Sequence, residues 1–425
     1  MGVETTRRIA MAGAASLLLA LPCPALAEPK IATDLAARLT PEQLRAYRAY
    51  LTARTTFDQQ LEMYWALIEE RKDNRRRKRS ASQTMTVADY VAEQPPKYAG
   101  PPLPPDVQKV IESLQTPGEP DKPMPTVADF LAAARAQFAF APIITTERDF
   151  KRRYALEALH LGLSKLQVVR VYALETGGDG TFDMQSGFHP VTRQGRAISS
   201  ALGYAQLLGA NSVSELVKHG ESFIQRLDAA AAGPGVTPQQ AAAWQAKAQV
   251  VRRMLAAARS VPNEWSQHRR FAQTPQGLAI HTLNLDADIG PWLQALKLRG
   301  IVETAAKEAG RTTLTGGQLE IMNLAGPRNG LEMMEPIGSQ MPTANFFEQG
   351  GYQRNSIVRE HTGGELLRAL DERMDGNIKR AGAIEFLAVF DEAMAGRPVA
   401  AERAVLRGGA AADQPITSAS DTNQR

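Results

Sequence analysis

Ser164-Lys165-Leu166-Gln167-Val168-Val169-Arg170-Val171-Tyr172-Ala173-Leu174-Glu175-Thr176-Gly177-Gly178 carries a start, an apolar body and a stop for one helix. The Ser164 hydroxyl can accept from the free N–H groups of a first turn, so a helix is expected from Lys165 to Glu175, with Leu166, Val169 and Val171 partly buried. Gly177-Gly178 then ends it. The only acid of the stretch, Glu175, stands at the C-terminal end of an apolar helix. Half burial there disfavours the charged carboxylate, and the partial negative charge of a helix C-terminus pushes the same way. Both effects lift the carboxyl toward the range in which a general acid works near neutral pH. Taken alone, a Glu before Gly-Gly is an ordinary exposed helix end.

Outward from this stretch the chain keeps a helical period. From Thr146 to about Gly396 the signals are caps and apolar stripes: Thr146-Glu147-Arg148-Asp149, a cap at Ser212 to Glu215, and Thr237-Pro238-Gln239-Gln240. The last opens a helix with Trp244, Ala248, Val251, Leu255 and Ala258 along one face, stopped by Pro262. Thr312-Thr313-Leu314-Thr315 reads as a short extended piece. Upstream, Thr40, Pro41 and Gln43 open another helix, with Leu44, Tyr47 and Leu51 on one face, then Phe57, Leu61, Tyr64, Trp65 and Ile68. It ends in the basic run 71–79. Such a run reads first as a solvated face, with contact to an anionic envelope polymer or lipid surface as the alternative.

Residues 94–125 are rich in Pro and are expected to form a stiff linker without a core. Two similar strings flank it, Thr86-Val87-Ala88-Asp89-Tyr90-Val91-Ala92 and Thr126-Val127-Ala128-Asp129-Phe130-Leu131-Ala132. Both suit a helix start, with Thr as cap and Asp three residues on. The fold class expected is mainly α. The expected domains are a leader over 1–27, an N-terminal helical arm over 28–93, the linker over 94–125, a helical domain over 126–395 and a flexible tail over 396–425.

The N-terminus reads as an export signal: Arg7-Arg8, an apolar stretch from Ile9 to Leu21, then Ala25-Leu26-Ala27 as a signal-peptidase site. An ordinary secretory signal is favoured over the twin-arginine type, and the mature protein is expected to be periplasmic. The only cysteine, Cys23, would leave with the leader, so disulfides and thiolate metal sites are excluded from the mature chain. The net charge of +4 is mild and gives no reason to expect a nucleic-acid partner. After residue 27 no apolar run is long enough to span a bilayer. The six histidines show no His-x-x-x-His pair, and neither a Gly-x-Ser-x-Gly elbow nor a phosphate-cradling Gly-rich loop is present, so no metal or cofactor is expected.

About twenty-five residues beyond Glu175 comes Ser199-Ser200-Ala201-Leu202-Gly203-Tyr204-Ala205-Gln206-Leu207. A helix-terminal Glu followed by Ser or Thr, and then a segment of the form Gly-Ala-x-Gly-Leu-Met-Gln-Leu, are features of goose-type lysozymes and soluble lytic transglycosylases. Ser200 to Leu207 resembles that segment, with Ser for its first Gly and Tyr-Ala for Leu-Met. A third family element, Ala-Tyr-Asn-Ala-Gly-Pro-Gly, has a partial echo in Met322-Asn323-Leu324-Ala325-Gly326-Pro327-Arg328, which lacks the Tyr. Tyr352, after Asn345-Phe346-Phe347-Glu348 and Gly350-Gly351, is the candidate to supply the missing phenol. The resemblance covers about residues 150–390 and implies a lysozyme-like helical domain that cuts peptidoglycan glycan strands without a cofactor. Glu175 would be the catalytic residue, and Ser200, Gly203, Tyr204, Gln206, Asn323 and Tyr352 would bind substrate. Phe182, Asp183, His189 and Arg193 would belong to an inserted loop lining the groove.

In lytic transglycosylases one Glu protonates the oxygen between N-acetylmuramic acid and N-acetylglucosamine, then takes the proton of the muramyl 6-hydroxyl as a 1,6-anhydro ring closes. An internal nucleophile has a high effective molarity and needs no second carboxylate. Two alternatives stand beside this. One is a muramidase of the same fold that activates water with a second acid, for which Asp179 and Asp183 are the candidates, although both sit in a Gly-rich turn. The other is a non-catalytic envelope-binding scaffold, whose basic and Pro-rich arm would meet an envelope protein partner.

Overall fold

The computed structural model describes Leu35, residues 37–114 and residues 123–396. The expected leader lies outside these residues, as does the expected tail beyond Gly396. Fifteen helices and no strand form among the described residues, so the chain is mainly α. In order they are α1 (Pro41–Ser80), α2 (Pro105–Leu114), α3 (Val127–Phe138), α4 (Glu147–His160) and α5 (Lys165–Thr176). Then follow α6 (Gly209–Ala231), α7 (Pro238–Ala258), α8 (Trp265–Phe271), α9 (Pro275–His281) and α10 (Gly290–Ala309). The last are α11 (Gly316–Ala325), α12 (Pro327–Met333), α13 (Gln349–Arg354), α14 (Gly363–Asn377) and α15 (Ala381–Ala395).

The chain divides into two compact units. Among the described residues, one holds those up to Leu114 together with Gln340–Gly363; the other holds residues 123–339 and 364–396. The excursion at 340–363 breaks the contiguous domain expected over 126–395.

In the first unit the α1 start is as expected: Gln43 N–H donates to Thr40 Oγ1 at 3.2 Å, and Thr40 N–H to Gln43 Oε1 at 2.9 Å. The basic run departs from the solvated reading. Lys72 and Arg75 are buried because they extend, at spacings of three and four, the inward stripe of Trp65 and Ile68. The Arg75 guanidinium donates to the carbonyls of Asp89 (3.0 Å) and Asn345 (2.6 Å) and lies over the Tyr90 ring. Lys72 Nζ pairs with Glu348 at 2.5 Å. Arg76, Arg77 and Arg79 are the exposed remainder. The Pro-rich segment also differs from expectation in part. Pro105 to Leu114 is a helix whose Val107 is sealed against Leu35 and Leu39, with Leu44 and Tyr47 beside it. Tyr98 meets the rings of Tyr50 and Phe57. Pro fixes the N-terminal turn of α2 without losing a hydrogen bond, so a Pro-rich string can open a helix as well as hold a linker straight.

The duplicated strings begin alike and end differently. Thr126 and Asp129 cap α3, whereas Thr86 and Asp89, with the same hydrogen bonds, start a single 3-10 turn, Val87–Asp89. Asp89 has other work, since it also takes Lys78 and Asn74.

The second unit is built on two apolar clusters. The first gathers Phe150, Tyr154, Val169, Tyr172, Tyr204, Leu319, Met322 and Phe386, so that α4, α5, α11 and α15 meet around aromatic rings. The second joins α6, α7 and α10 through Val213, Leu216, Val251, Leu255 and Leu293. The α7 stripe expected from sequence is buried, with Trp244 half-buried at its start. Two local readings need correction. Leu166 is 54% exposed, because in α5 the inward face is carried by Val168, Val169, Val171 and Tyr172. Ser212 is a fully buried interior residue of α6, not a cap; that helix begins at Gly209, where Asn211 Oδ1 accepts from Leu208 N–H at 3.1 Å. The stretch 312–315 is irregular chain leading to Thr315, which caps α11.

Candidate functional site

Four interactions fix α5, which carries Glu175. At its start Gln167 N–H donates to Ser164 Oγ at 3.2 Å. Along its outer side Arg170 pairs with Asp371 of α14 at 2.8 Å, and Lys165 with Asp391 of α15 at 2.6 Å. At its end Asn377 Nδ2 donates 2.9 Å to the carbonyl of Ala173, one of the acceptors a helix C-terminus leaves open. Gly177 follows with φ +68, the left-handed C-cap that glycine adopts without penalty. Glu175 is thereby held rigidly, half-buried, on the last turn.

Its neighbours are on α11. Asn323 Nδ2 lies 3.4 Å from Glu175 Oε1 and 3.3 Å from Glu320 Oε1. Glu320 is fully buried, and the two carboxyls, which share Asn323, are close enough to act on one another's charge. Burial raises Glu175 from the usual carboxylate range to about 7, against smaller opposing effects of the neighbouring Glu320 carboxyl and the Arg373 charge. Burial together with the neighbouring Glu175 charge raises Glu320 further, while Asn323 and Lys297 pull it down. Two carboxyls so placed titrate as a pair that keeps at least one proton in common through neutral pH.

The Ser200–Gln206 segment takes a structural role. Tyr204 is 1% exposed: its ring lies 4.9 Å from Tyr172, among Phe150, Tyr154 and Phe386, and its hydroxyl donates to Glu147. The sugar contact expected of Tyr204 is therefore corrected to core packing. Glu147, itself raised by burial, also receives Phe182 N–H at 3.2 Å. Gly203 has φ +80 and a site for Cβ only 2.6 Å from Gln294 Nε2, and Gln294 in turn accepts from Ala205 N–H at 3.1 Å. The glycine is needed by the loop's seat on α10, not by a close sugar. Gln206 Nε2 donates to the carbonyls of Gly203 and Met184. Ser200 Oγ receives Gly209 N–H, and its carbonyl receives His281. Among the described residues, none of the hydrogen bonds of Ser200, Gly203, Tyr204 or Gln206 reaches Glu175; the segment touches α5 through the Tyr204–Tyr172 ring contact.

Gly203→Ala is expected to destabilise this unit by about 2 kcal/mol or more, from the left-handed backbone and the overlap with Gln294. Urea unfolding followed by tryptophan fluorescence measures it, since Trp244, Trp265 and Trp292 belong to this unit and only Trp65 to the other.

The remaining expectations separate. Asn323 is beside Glu175. Tyr352 belongs to the unit with the N-terminal arm, where its ring packs on Trp65 and its hydroxyl accepts from Glu360 N–H; it is corrected to packing there. Asp183 is paired with Arg193 at 2.6 Å and Asp179 with Arg380 at 2.8 Å, so neither stands free as a second acid. Phe182 stacks on Phe150, and His189 Nδ1 accepts from its own turn at Val191 and Thr192. Sequence reasoning missed Glu320. Its signal was an acid inside the apolar run Leu319-Glu320-Ile321-Met322, one helical turn before Asn323.

Comparison of the chain with protein-family models, with curated proteins and with solved structures finds no match. No group of three or more His, Cys, Asp or Glu side chains able to hold a metal occurs among the described residues.

Proposed function

We propose that the chain is a peptidoglycan lytic transglycosylase, exported to the periplasm, in which Glu175 cleaves the bond between N-acetylmuramic acid and N-acetylglucosamine. The observation that carries the reading is the half-buried Glu175, fixed at a helix end beside Asn323 and lifted to about 7, where one carboxyl can serve first as acid and then as base. Glu175 gives its proton to the bridging oxygen as the C–O bond breaks. The muramyl 6-hydroxyl then adds to the same anomeric carbon and returns a proton to Glu175, so the enzyme ends as it began. Asn323 is placed to hold a sugar substituent or the Glu175 carboxyl itself.

The ring-closing route is favoured over hydrolysis by the position of the second acid. A water-using glycosidase needs two carboxyls roughly 5–9 Å apart across the scissile bond. Glu320 is fully buried and shares Asn323 with Glu175, and Asp179 and Asp183 are engaged in ion pairs. Digestion of purified sacculi followed by mass spectrometry of the fragments tests the reading. The expected ends are 1,6-anhydromuramyl, one water lighter than reducing ends; fragments with reducing ends alone would assign a muramidase instead.

A further inference from the structure

We propose that Glu320 is a positioning residue: a neutral carboxylic acid whose O–H donates to Glu175 and steadies the carboxylate that Glu175 becomes after it has given up its proton. The inference rests on the reading of Glu175 as the acid. Its physical ground is a count of donors around a buried group. Glu320 is 0% exposed, on the inward face of α11. Its Oε1 has Asn323 Nδ2 at 3.3 Å, and its Oε2, equally buried, receives no N–H or O–H from the protein. Its other neighbour is a second carboxyl, Glu175, which as a carboxylate can only accept. An ionised Glu320 would leave one oxygen without a donor in a dry site and set two negative charges in contact, an arrangement far more costly than retaining a proton. The proton therefore belongs on Oε2, and Glu175 is the acceptor within reach.

The charged groups around the pair fit this assignment. The charge of Arg373 of α14 acts on Glu175. Lys297 of α10 faces Glu320, but it is shared with Glu215 of α6 and opposed by Lys218, so it is not a dedicated counter-ion. Asn323 bridges the two carboxyls from one helical turn away. During the reaction the hydrogen bond from Glu320 strengthens when Glu175 turns into a carboxylate and weakens when the 6-hydroxyl returns the proton; Glu320 exchanges no proton with substrate.

Two variants separate a neutral Glu320 from an ionised one. Gln at this position keeps a neutral donor of the same shape, so Glu320→Gln is expected to leave the Glu175 midpoint within about half a pH unit and sacculus-digesting activity within about threefold of wild type. Glu320→Leu removes the donor, and is expected to raise the Glu175 midpoint by about one unit and cut the rate about 10- to 100-fold. The midpoint is read in two ways: from the pH profile of sacculus solubilisation, and from the 13C NMR titration of 13Cδ-labelled glutamate, with the Glu175 signal assigned by its loss in Glu175→Gln. If Glu320→Gln drops the midpoint by a unit or more, a charge was removed and the proposal is overturned; a Glu320→Leu protein that titrates like wild type overturns it as well. Should Glu175→Gln retain full activity, the enzymatic reading fails while the NMR midpoints still judge Glu320.

Discussion

Glu175→Gln is expected to lower the release of soluble fragments from sacculi by about 10²- to 10⁴-fold, the range a positioned general acid supplies. The amide has the shape of the carboxyl and can still meet Asn323 and Glu320, so the fold is retained while the transferable proton is lost. The wild-type rate should be flat below pH 7 and fall about tenfold per unit above it, because only the protonated form can start the reaction. Linkage gives a second, activity-independent signature. The folded-state value of Glu175 lies above its unfolded value, so its favourable contribution to folding is complete below about 4.5 and is lost as pH rises through about 7. Glu175→Gln removes that loss, and the variant should unfold at a higher temperature than wild type at pH 8 whatever its activity. A variant that dissolves sacculi as fast as wild type would instead make the chain a non-catalytic binder of the envelope.

What the sequence made legible follows the range of the physics involved. The caps at Thr40, Ser164 and Thr237 and the stripe of α7 depend on neighbours within one or two turns, so residue order alone fixes them. The inward course of Lys72 and Arg75 was also present as spacing, since they continue the face of Trp65 and Ile68, but a run of nine largely basic residues hid the period. The site divides along the same line. Glu175 was readable because a helix end and an apolar helix determine its surroundings locally. Glu320 was not, because its meaning comes from a partner on another helix, and an acid in an apolar helix is otherwise only a blemish in the pattern. Tyr204 misled for the opposite reason: in a glycine-containing loop a phenol looks available to a ligand, yet Glu147 supplies the partner that lets it be buried.

His281 carries the largest expected effect on stability. It ends α9, 1% exposed, and joins the loop after α5 to the helical core. Its Nε2 lies 2.6 Å from the carbonyl of Ser200, which can only accept, so that nitrogen carries the hydrogen. Nδ1 is then the acceptor for the Ser212 hydroxyl at 2.8 Å, while Asn284 Nδ2 donates to Ser212 Oγ at 2.7 Å. The imidazole is thus neutral by construction, and burial lowers it from 6.5 to about 4, against the smaller pull of the Ser200 carbonyl. The unfolded chain binds a proton between these values and the folded chain does not, so the stability that His281 provides is intact above pH 6.5 and declines by about 3 kcal/mol as pH falls through 4. Glu175 titrates in the opposite sense over nearly the same window, so the wild-type curve alone conceals both. The measurement is therefore a difference. His281→Leu cuts both ties and leaves the buried Ser212 O–H without an acceptor and the Ser200 carbonyl without a donor, a loss of about 3–4 kcal/mol at pH 7 by urea unfolding. That deficit should shrink to about 1 kcal/mol or less near pH 4, where the wild-type imidazole must itself become charged. A deficit that stays constant from pH 7 to 4 would mean that His281 is not held neutral by this network.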